Sequence, residues 1–428
     1  MRIILAASGS RGDVQPMVAL AGGLQAGGHS VLVCASPNHS DWVRERGVPF
    51  LPMGRDFHSY VREHAWRANA NPIELLQGVA KLLESEVESQ FASLLPVVKN
   101  ADLVVGGSVH LAAASVAELM GVPYRYLFYC PQFLPSSEHP PWILPWSSLP
   151  TWANRLSWQV GQSAIEMTVR PLINRLRTRL GLRPIQDVLR HLVGSQPILA
   201  ADPALSTVPA DVEVPVLQTG ALQCPASGRL PDDVEAFVLE GEPPVYIGFG
   251  SVPDPNPNRT ADLIFESMWA LGRRALISGE FATLNGLKVP PHCKLIPPLD
   301  HALLLPRMAA VAHHGGAGTT SAAARAGVPQ VVVPHLMDQH YWGHQVFTLG
   351  MGPRPIWRRH LTARRLTRAL QEALANSQMR ARARSMAARL RATDPVRDTV
   401  GALLRGLPQK APVRRQGGSA DGPAARAI

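Results

Sequence analysis

The chain has 428 residues, more than one ordinary hydrophobic core accommodates, so two domains are expected. Apolar residues make up 46%, aromatics 6% and charged residues 17%, a globular composition that excludes a disordered chain. A net charge of +10 asks for an anionic partner; with the arginines spread out, a phosphorylated ligand or an anionic membrane surface fits as well as nucleic acid.

The N-terminal run "RIILAAS" (2–8) is too short for a secretion signal and reads as a first buried strand. Asp13 and Pro16 stand before "MVALAGGLQAGG", and Gly27-Gly28 closes what reads as a helix. Further apolar runs follow at 30–36, 102–107, 124–129 and 197–202, with helical patterns between them. Continuous apolar runs of this length predict parallel strands buried on both faces. No stretch reaches the roughly 18 uninterrupted apolar residues of a membrane span. The longest, 103–135, is broken by His110, Glu118, Arg125 and prolines.

Around 223–242 the texture turns rich in Pro, Gly and acid, which predicts an interdomain linker. A second series of runs then starts, at 245–251, 274–279, 293–299, 309–314 and 330–336. The expected fold class is therefore α/β, two doubly wound Rossmann-like domains, each offering ligand sites at the C-terminal ends of its strands. The expected divisions are 1–222, the linker 223–242, a second domain 243–385, C-terminal helices 386–408 packing back on the first domain, and a disordered tail 409–428.

Four cysteines, Cys34, Cys130, Cys224 and Cys293, share no short spacing, so neither a zinc ribbon nor a disulfide framework is expected and a reducing cytoplasm is the default. His29, His110 and His139 sit in no motif and read as ordinary core or surface residues. His340 and His344 share a helix spacing that could hold a metal, but a third ligand is missing.

The most informative stretch is "HHGGAGTT", 313–320, between an apolar strand and a helical pattern. A helix N-terminus leaves N–H groups unpaired and carries partial positive charge, so it holds anions. Gly315, Gly316 and Gly318 allow close backbone approach, Thr319 and Thr320 add hydroxyls, and His314 could donate to, or charge-neutralise, a phosphate oxygen. The spacing fits neither a P-loop nor a dinucleotide fingerprint. A plain packing turn is the weaker alternative for so many coincident features. Ser251 closes the 245–251 run, and Asp338 and Gln339 follow the 330–336 run, suited to phosphate and to sugar hydroxyls respectively; a helix cap is the simpler reading of Asp338. Phosphate donors and sugar-type acceptors in one domain suggest a sugar nucleotide.

The octet, the Asp338-Gln339 pair and the opening "GSRGDVQP" (9–16) together resemble family 1 glycosyltransferases of the GT-B fold, over residues 1–405. The branch they are most similar to holds bacterial antibiotic and macrolide glycosyltransferases and sterol glucosyltransferases. The resemblance implies two Rossmann-like domains facing each other across a cleft. It implies inverting, metal-independent transfer of a hexose from a UDP- or dTDP-sugar to a hydroxyl, with no cofactor and no metal ligand. Accordingly no D-x-D occurs in the chain, and without a cation the leaving diphosphate must be met by helix dipole, backbone N–H groups and His314. By the same resemblance Asp13 is the general base, a role that does not exclude capping the helix near Pro16. Ser10, Gly12, Ser251, His314, Gly316, Gly318 and Thr319 are expected at the diphosphate, Ile296 and Pro297 at the nucleotide base, and Asp338 and Gln339 at the sugar.

The acceptor side is expected in 130–152, where Trp142, Trp146 and Trp152 stand in a proline-broken segment. Phe133, Trp142 and Trp146 are its candidate contacts, favouring a hydrophobic macrolide, polyketide, flavonoid or sterol. A tryptophan-rich core plug is an equal reading of the same segment. The expected partners are a nucleotide-sugar donor and that acceptor, without nucleic acid, in a monomer or homodimer, with peripheral membrane contact open. Two other readings remain: a UDP-sugar 2-epimerase of the same architecture, and a non-catalytic glycosyltransferase helper.

Overall fold

The structure is a computed structural model, and it describes residues 1–54, 56, 72–108, 110–147, 149–250, 254, 256–278 and 288–407. The first half of the chain runs β1 (Arg2–Ser8), α1 (Arg11–Ala26), β2 (Ser30–Ala35), α2 (Ser40–Arg44), β3 (Phe50–Pro52), α3 (Pro72–Val98) and β4 (Leu103–Ser108). It continues as α4 (Ala113–Met120), β5 (Tyr124–Phe128), α5 (Thr151–Arg179), α6 (Val188–Val193), β6 (Ile198–Leu199) and β7 (Leu217–Gln218). These strands form one sheet in the order β3-β2-β1-β4-β5-β6-β7, with every pairing parallel.

The second half opens with α7 (Asp232–Leu239), β8 (Val245–Gly248), α8 (Pro257–Leu271), β9 (Ala275–Ser278), β10 (Cys293–Ile296) and α9 (His301–Leu304). It proceeds through β11 (Ala310–His313), α10 (Ala317–Ala326), β12 (Gln330–Val332), α11 (Gln339–Thr348), α12 (Ala363–Ala375), α13 (Ser377–Arg391) and α14 (Pro395–Leu404). Its sheet has the order β10-β9-β8-β11-β12, again parallel throughout. In each sheet the strand order reverses next to the first strand, at β1/β4 and at β8/β11. Crevices form at such points, outside the carboxyl ends of the strands.

The continuous apolar runs are explained by helices on both faces. Ile3, Leu5 and Ala7 of β1 pack on one side with Met17, Leu20 and Leu24 of α1. Ile4 and Ala6 pack on the other with Phe91, Leu94 and Val116. Both faces of the strand are thus buried, so its pattern shows no alternation.

The expected divisions need two corrections. The segment 223–242 is not all linker: α7 lies within it, and its Val234 and Val238 are buried against Tyr246 and Leu276 of the second sheet. Its acidic first turn, Asp232, Asp233 and Glu235, looks like solvent-facing linker but favours a helix N-terminus. The expected break at 385/386 falls inside α13, which packs along α10. The chain crosses back only afterwards, where Val396 and Val400 of α14 reach the core around α1. Strands β3 and β7, of three and two residues, are too short to show in the sequence pattern. The tail from Gln409 lies outside the described residues.

The two halves share a core of their own. Tyr126, Phe128, Cys130 and Leu199 cluster with Tyr341, Trp342, Met386 and Leu390. Beside it Asp202, 2% exposed, accepts from Arg325 at 2.8 Å and from the Ser321 hydroxyl at 2.7 Å. This buried pair ties the second half to the first, and both Asp202 carboxylate oxygens accept a hydrogen bond, which offsets the burial of the charge. The four cysteines are unpaired. Among the described residues no helix is long and apolar enough to cross a membrane.

Candidate active site

Asp13 lies one turn into α1, which begins earlier than the sequence suggests, at Arg11, with Pro16 inside the helix. Ser10 is the N-cap: its hydroxyl accepts from the Gly12 N–H at 3.2 Å. Asp13 closes the capping box, its Oδ2 accepting from the Ser10 N–H at 2.7 Å and the Ser10 hydroxyl at 3.0 Å. Gly9, with φ of 129°, passes so close that a β-carbon there would stand 2.3 Å from Oδ2; only glycine fits. Burial pushes the Asp13 pKa up, and the hydroxyls of Ser108 and Ser10 work against it. Asp13 is therefore a stronger base than a free aspartate, held in place by the loop it caps.

Asp338 comes to the same place from the other half. It precedes α11 without capping it through its side chain; instead its carboxyl accepts from the Trp342 Nε1–H at 3.2 Å. Burial, and then the charge of Asp13, push its pKa up to about 7. Asp338 thus senses the charge of Asp13 from the other half of the chain. Gln339 is buried, and its Oε1 accepts from the His335 and Leu336 N–H groups at 2.9 and 3.2 Å. Its oxygen is committed to the loop.

The Asp338 shift carries a sign. A carboxyl whose folded pKa lies above its unfolded value, about 3.9, adds stability that is complete below that value and lost as pH rises through about 7. The melting temperature of the ligand-free protein should therefore fall between pH 5 and pH 8, and Asp338→Asn should flatten that slope. Parallel melting curves for the two proteins across that range would rule the account out.

His313 and His314 point to opposite sides, as consecutive strand residues do. His313 is fully buried; its Nε2 meets Gln330 Oε1 at 2.9 Å and its Nδ1 accepts from the Gly315 N–H at 3.1 Å. His314 is half-buried, its ring lying between Gly250 and Gly316: β-carbons at those positions would stand 2.8 and 2.5 Å from it. Burial, with His313 and His335 nearby, lowers its pKa to about 3. It is a neutral imidazole that offers an N–H donor rather than a positive charge. Helix α10 begins directly after Gly316 with no side-chain cap, so the N–H groups of its first turn stay open. A β-carbon on Gly318 would touch nothing, and Thr319 is partly exposed. Ser251 lies outside the described residues.

Ile296 and Pro297, expected at the nucleotide base, differ in exposure. Ile296 is 1% exposed and packed in the second core beside Tyr246 and Leu276, because its place in the strand turns it to a helix-covered face. It can reach a base only through its backbone, whereas Pro297 is exposed. On the acceptor side Phe133 and Trp142 stack at 5.1 Å, while Ile143 and Trp146 are 54% and 45% exposed. Trp152 and Leu156, one turn apart on α5, extend the exposed apolar surface. Trp158, beyond the 130–152 segment, is buried with its Nε1–H on the His139 carbonyl; within it, half-buried Phe133 packs against the core shared by the halves while Trp146 and Trp152 stay exposed. His110 is structural, its Nδ1 accepting from the Ala113 N–H. His340 packs edge-on to Trp357 and His344 reaches Thr348.

Sequence reasoning passed over three residues. Arg11 lies over the Trp42 ring at 4.8 Å, with Arg46 at 4.3 Å on the same ring, and its charge faces Asp300 of the second half. The Tyr129 hydroxyl donates to the Asp13 carbonyl at 3.2 Å. Ser108 ends β4 directly beside Ser8 of β1. Arg11 could have been noticed from its place in the 9–16 motif; the other two carry no sequence signal.

Comparisons with known proteins show the family and the fold. Residues 3–136 match the glycosyltransferase family 28 N-terminal domain, and residues 280–405 match the erythromycin biosynthesis protein CIII-like C-terminal domain. Glycosyltransferase GtfE of Amycolatopsis orientalis is 37% identical over 359 residues, covering 82% of this chain and 85% of the relative. Sterol 3-beta-glucosyltransferase UGT80A2 of Arabidopsis thaliana is 30% identical over 430 residues, 95% of this chain and 66% of that protein. Among solved structures, glycosyltransferase VinC in complex with dTDP superposes with a TM-score of 0.68 at 22% identity, covering 95% of this chain and 99% of that one. With sequence and fold in agreement, the chain belongs to the glycosyltransferases of the GT-B fold, the family of the antibiotic and sterol glycosyltransferases.

Proposed function

We propose that this enzyme moves a hexose from a UDP- or dTDP-sugar to a hydroxyl of a hydrophobic aglycone, with inversion and without a catalytic metal. The observation that carries this reading is the N-terminus of α10, uncapped by any side chain and following His314, with Asp13 near enough to Asp338 for its charge to raise the Asp338 pKa. Asp13 takes the proton of the acceptor hydroxyl as oxygen attacks the anomeric carbon. The departing diphosphate gains charge, and the open N–H groups of α10, the hydroxyl of Thr319 and the N–H of His314 receive it; donors fixed in advance act most strongly where charge develops. Asp338 and the amide nitrogen of Gln339 serve the sugar hydroxyls, and Pro297 flanks the base.

A natural-product or sterol acceptor is supported by the stacked Phe133–Trp142 pair and the exposed Trp146, and by relatives named for vancomycin aglycone and for sterols. The test is a thermal-shift screen of nucleotide sugars, followed by mass spectrometry of aglycone mixtures with the best donor and assignment of the anomeric configuration of the product. Activity should survive EDTA treatment nearly intact. Complete loss restored by Mg²⁺ or Mn²⁺ would defeat the metal-free part, and a product with retained configuration would defeat inversion.

A further inference from the structure

Among the described residues only Ser108, with φ of 55°, and Met337, with φ of 57°, hold a left-handed backbone without being glycine. Both stand against the cleft carboxylates. Met337 immediately precedes Asp338, and Ser108 lies beside Ser8 of β1, the strand that leads into Ser10 and Asp13. A side chain is strained in this conformation, and such strain persists where surrounding structure imposes it, most often at functional sites. At Ser108 the Tyr126 hydroxyl helps impose it, donating to the Ser108 carbonyl at 2.7 Å.

The side chain compounds the anomaly. Ser108 is 5% exposed, and its Oγ makes no properly directed hydrogen bond although it lies close enough to Asp13 to act on that carboxyl; buried hydroxyls are ordinarily bonded. Asp13 and Tyr129 are its neighbours. Glycine would relieve the backbone and alanine would remove the unpaired hydroxyl. A serine here is unfavourable on both counts unless the hydroxyl is used.

We propose that Ser108 is a positioning residue for the base, its hydroxyl swinging onto the Asp13 carboxylate and holding it ionised and aimed at the acceptor. The proton of the acceptor hydroxyl passes to Asp13; the proton of Ser108 stays where it is. This inference rests on the reading of Asp13 as the base. The other titratable groups around Asp13 are Asp338 from the second half and Tyr126 and Tyr129 from the end of β5. One residue further out, His39 meets the Gly9 carbonyl and Glu86 meets Ser8.

Two variants and two readouts test it. Ser108→Ala removes the hydroxyl and keeps the strain; Ser108→Gly removes both, so its melting temperature should equal or exceed that of the wild type. In each, the acid limb of kcat/KM should move to higher pH, because losing a donor to a carboxylate weakens its ionisation, by about tenfold for such a bond. The carboxyl of Asp13, followed by carbon-13 labelling in the substrate-free protein and assigned against Asp13→Asn, should titrate at higher pH as well. A purely structural serine would leave both readouts unmoved in the glycine variant, and that result overturns the proposal even if Asp13→Asn is inactive. If Asp13→Asn stays active, the base reading fails separately, and an unshifted carboxyl titration then removes Ser108's part too. Should the alanine variant fail to fold, the glycine variant decides alone.

Discussion

Asp13→Asn should lower turnover by about 100-fold or more, the usual consequence of losing a general base, while nucleotide affinity stays close to that of the wild type. Asparagine is nearly isosteric, and its side-chain oxygen can still accept from the Ser10 N–H, which Asp13 now holds at 2.7 Å. The helix start therefore survives the change, and what disappears is the ability to take a proton. Burial, which pushes the Asp13 pKa up, makes the native carboxylate better suited to that task than a solvated one. Steady-state assays at saturating acceptor, with nucleotide binding by calorimetry, separate the two effects. A variant keeping more than half of wild-type turnover would reduce Asp13 to its place in the capping box.

His314→Ala should weaken UDP or dTDP binding by about 10- to 150-fold, the equivalent of one hydrogen bond to a charged group. The ring is housed between Gly250 and Gly316, so its removal leaves the backbone donors and the helix dipole in place. His313→Ala should act differently. That ring holds Gln330 and the Gly315 N–H from a fully buried position, and stranding either partner destabilises the fold by about 1–3 kcal/mol. Lower melting temperature with nearly normal affinity is expected there. Isothermal titration of nucleotide into both variants, each checked by circular dichroism, distinguishes the roles. If His313→Ala loses the nucleotide and His314→Ala keeps it, the assignment is inverted; if neither changes, the octet is only a packing turn.

Much of this architecture is legible in the residues alone. Runs such as Ile3–Ala7 are apolar at every position because helices cover both faces of the sheet, and that absence of alternation is itself the mark of a buried parallel strand. The glycines of 313–320 likewise announce a turn from strand to helix with bare backbone. Tertiary structure alone decides the rest, because those properties depend on distances between residues remote in the chain. The raised pKa of Asp338 arises from burial and from Asp13; the neutrality of His314 arises from burial and from three other histidines, His313, His335 and His301. The acidic turn of α7 reads as linker until Val234 and Val238 find Tyr246 and Leu276. Ile296 looks like a strand-end contact until packing turns it inward. Ser108 is an ordinary serine in sequence, and only the folded chain sets it beside Ser8 at the end of β4, in a left-handed conformation, with the Tyr126 hydroxyl on its carbonyl.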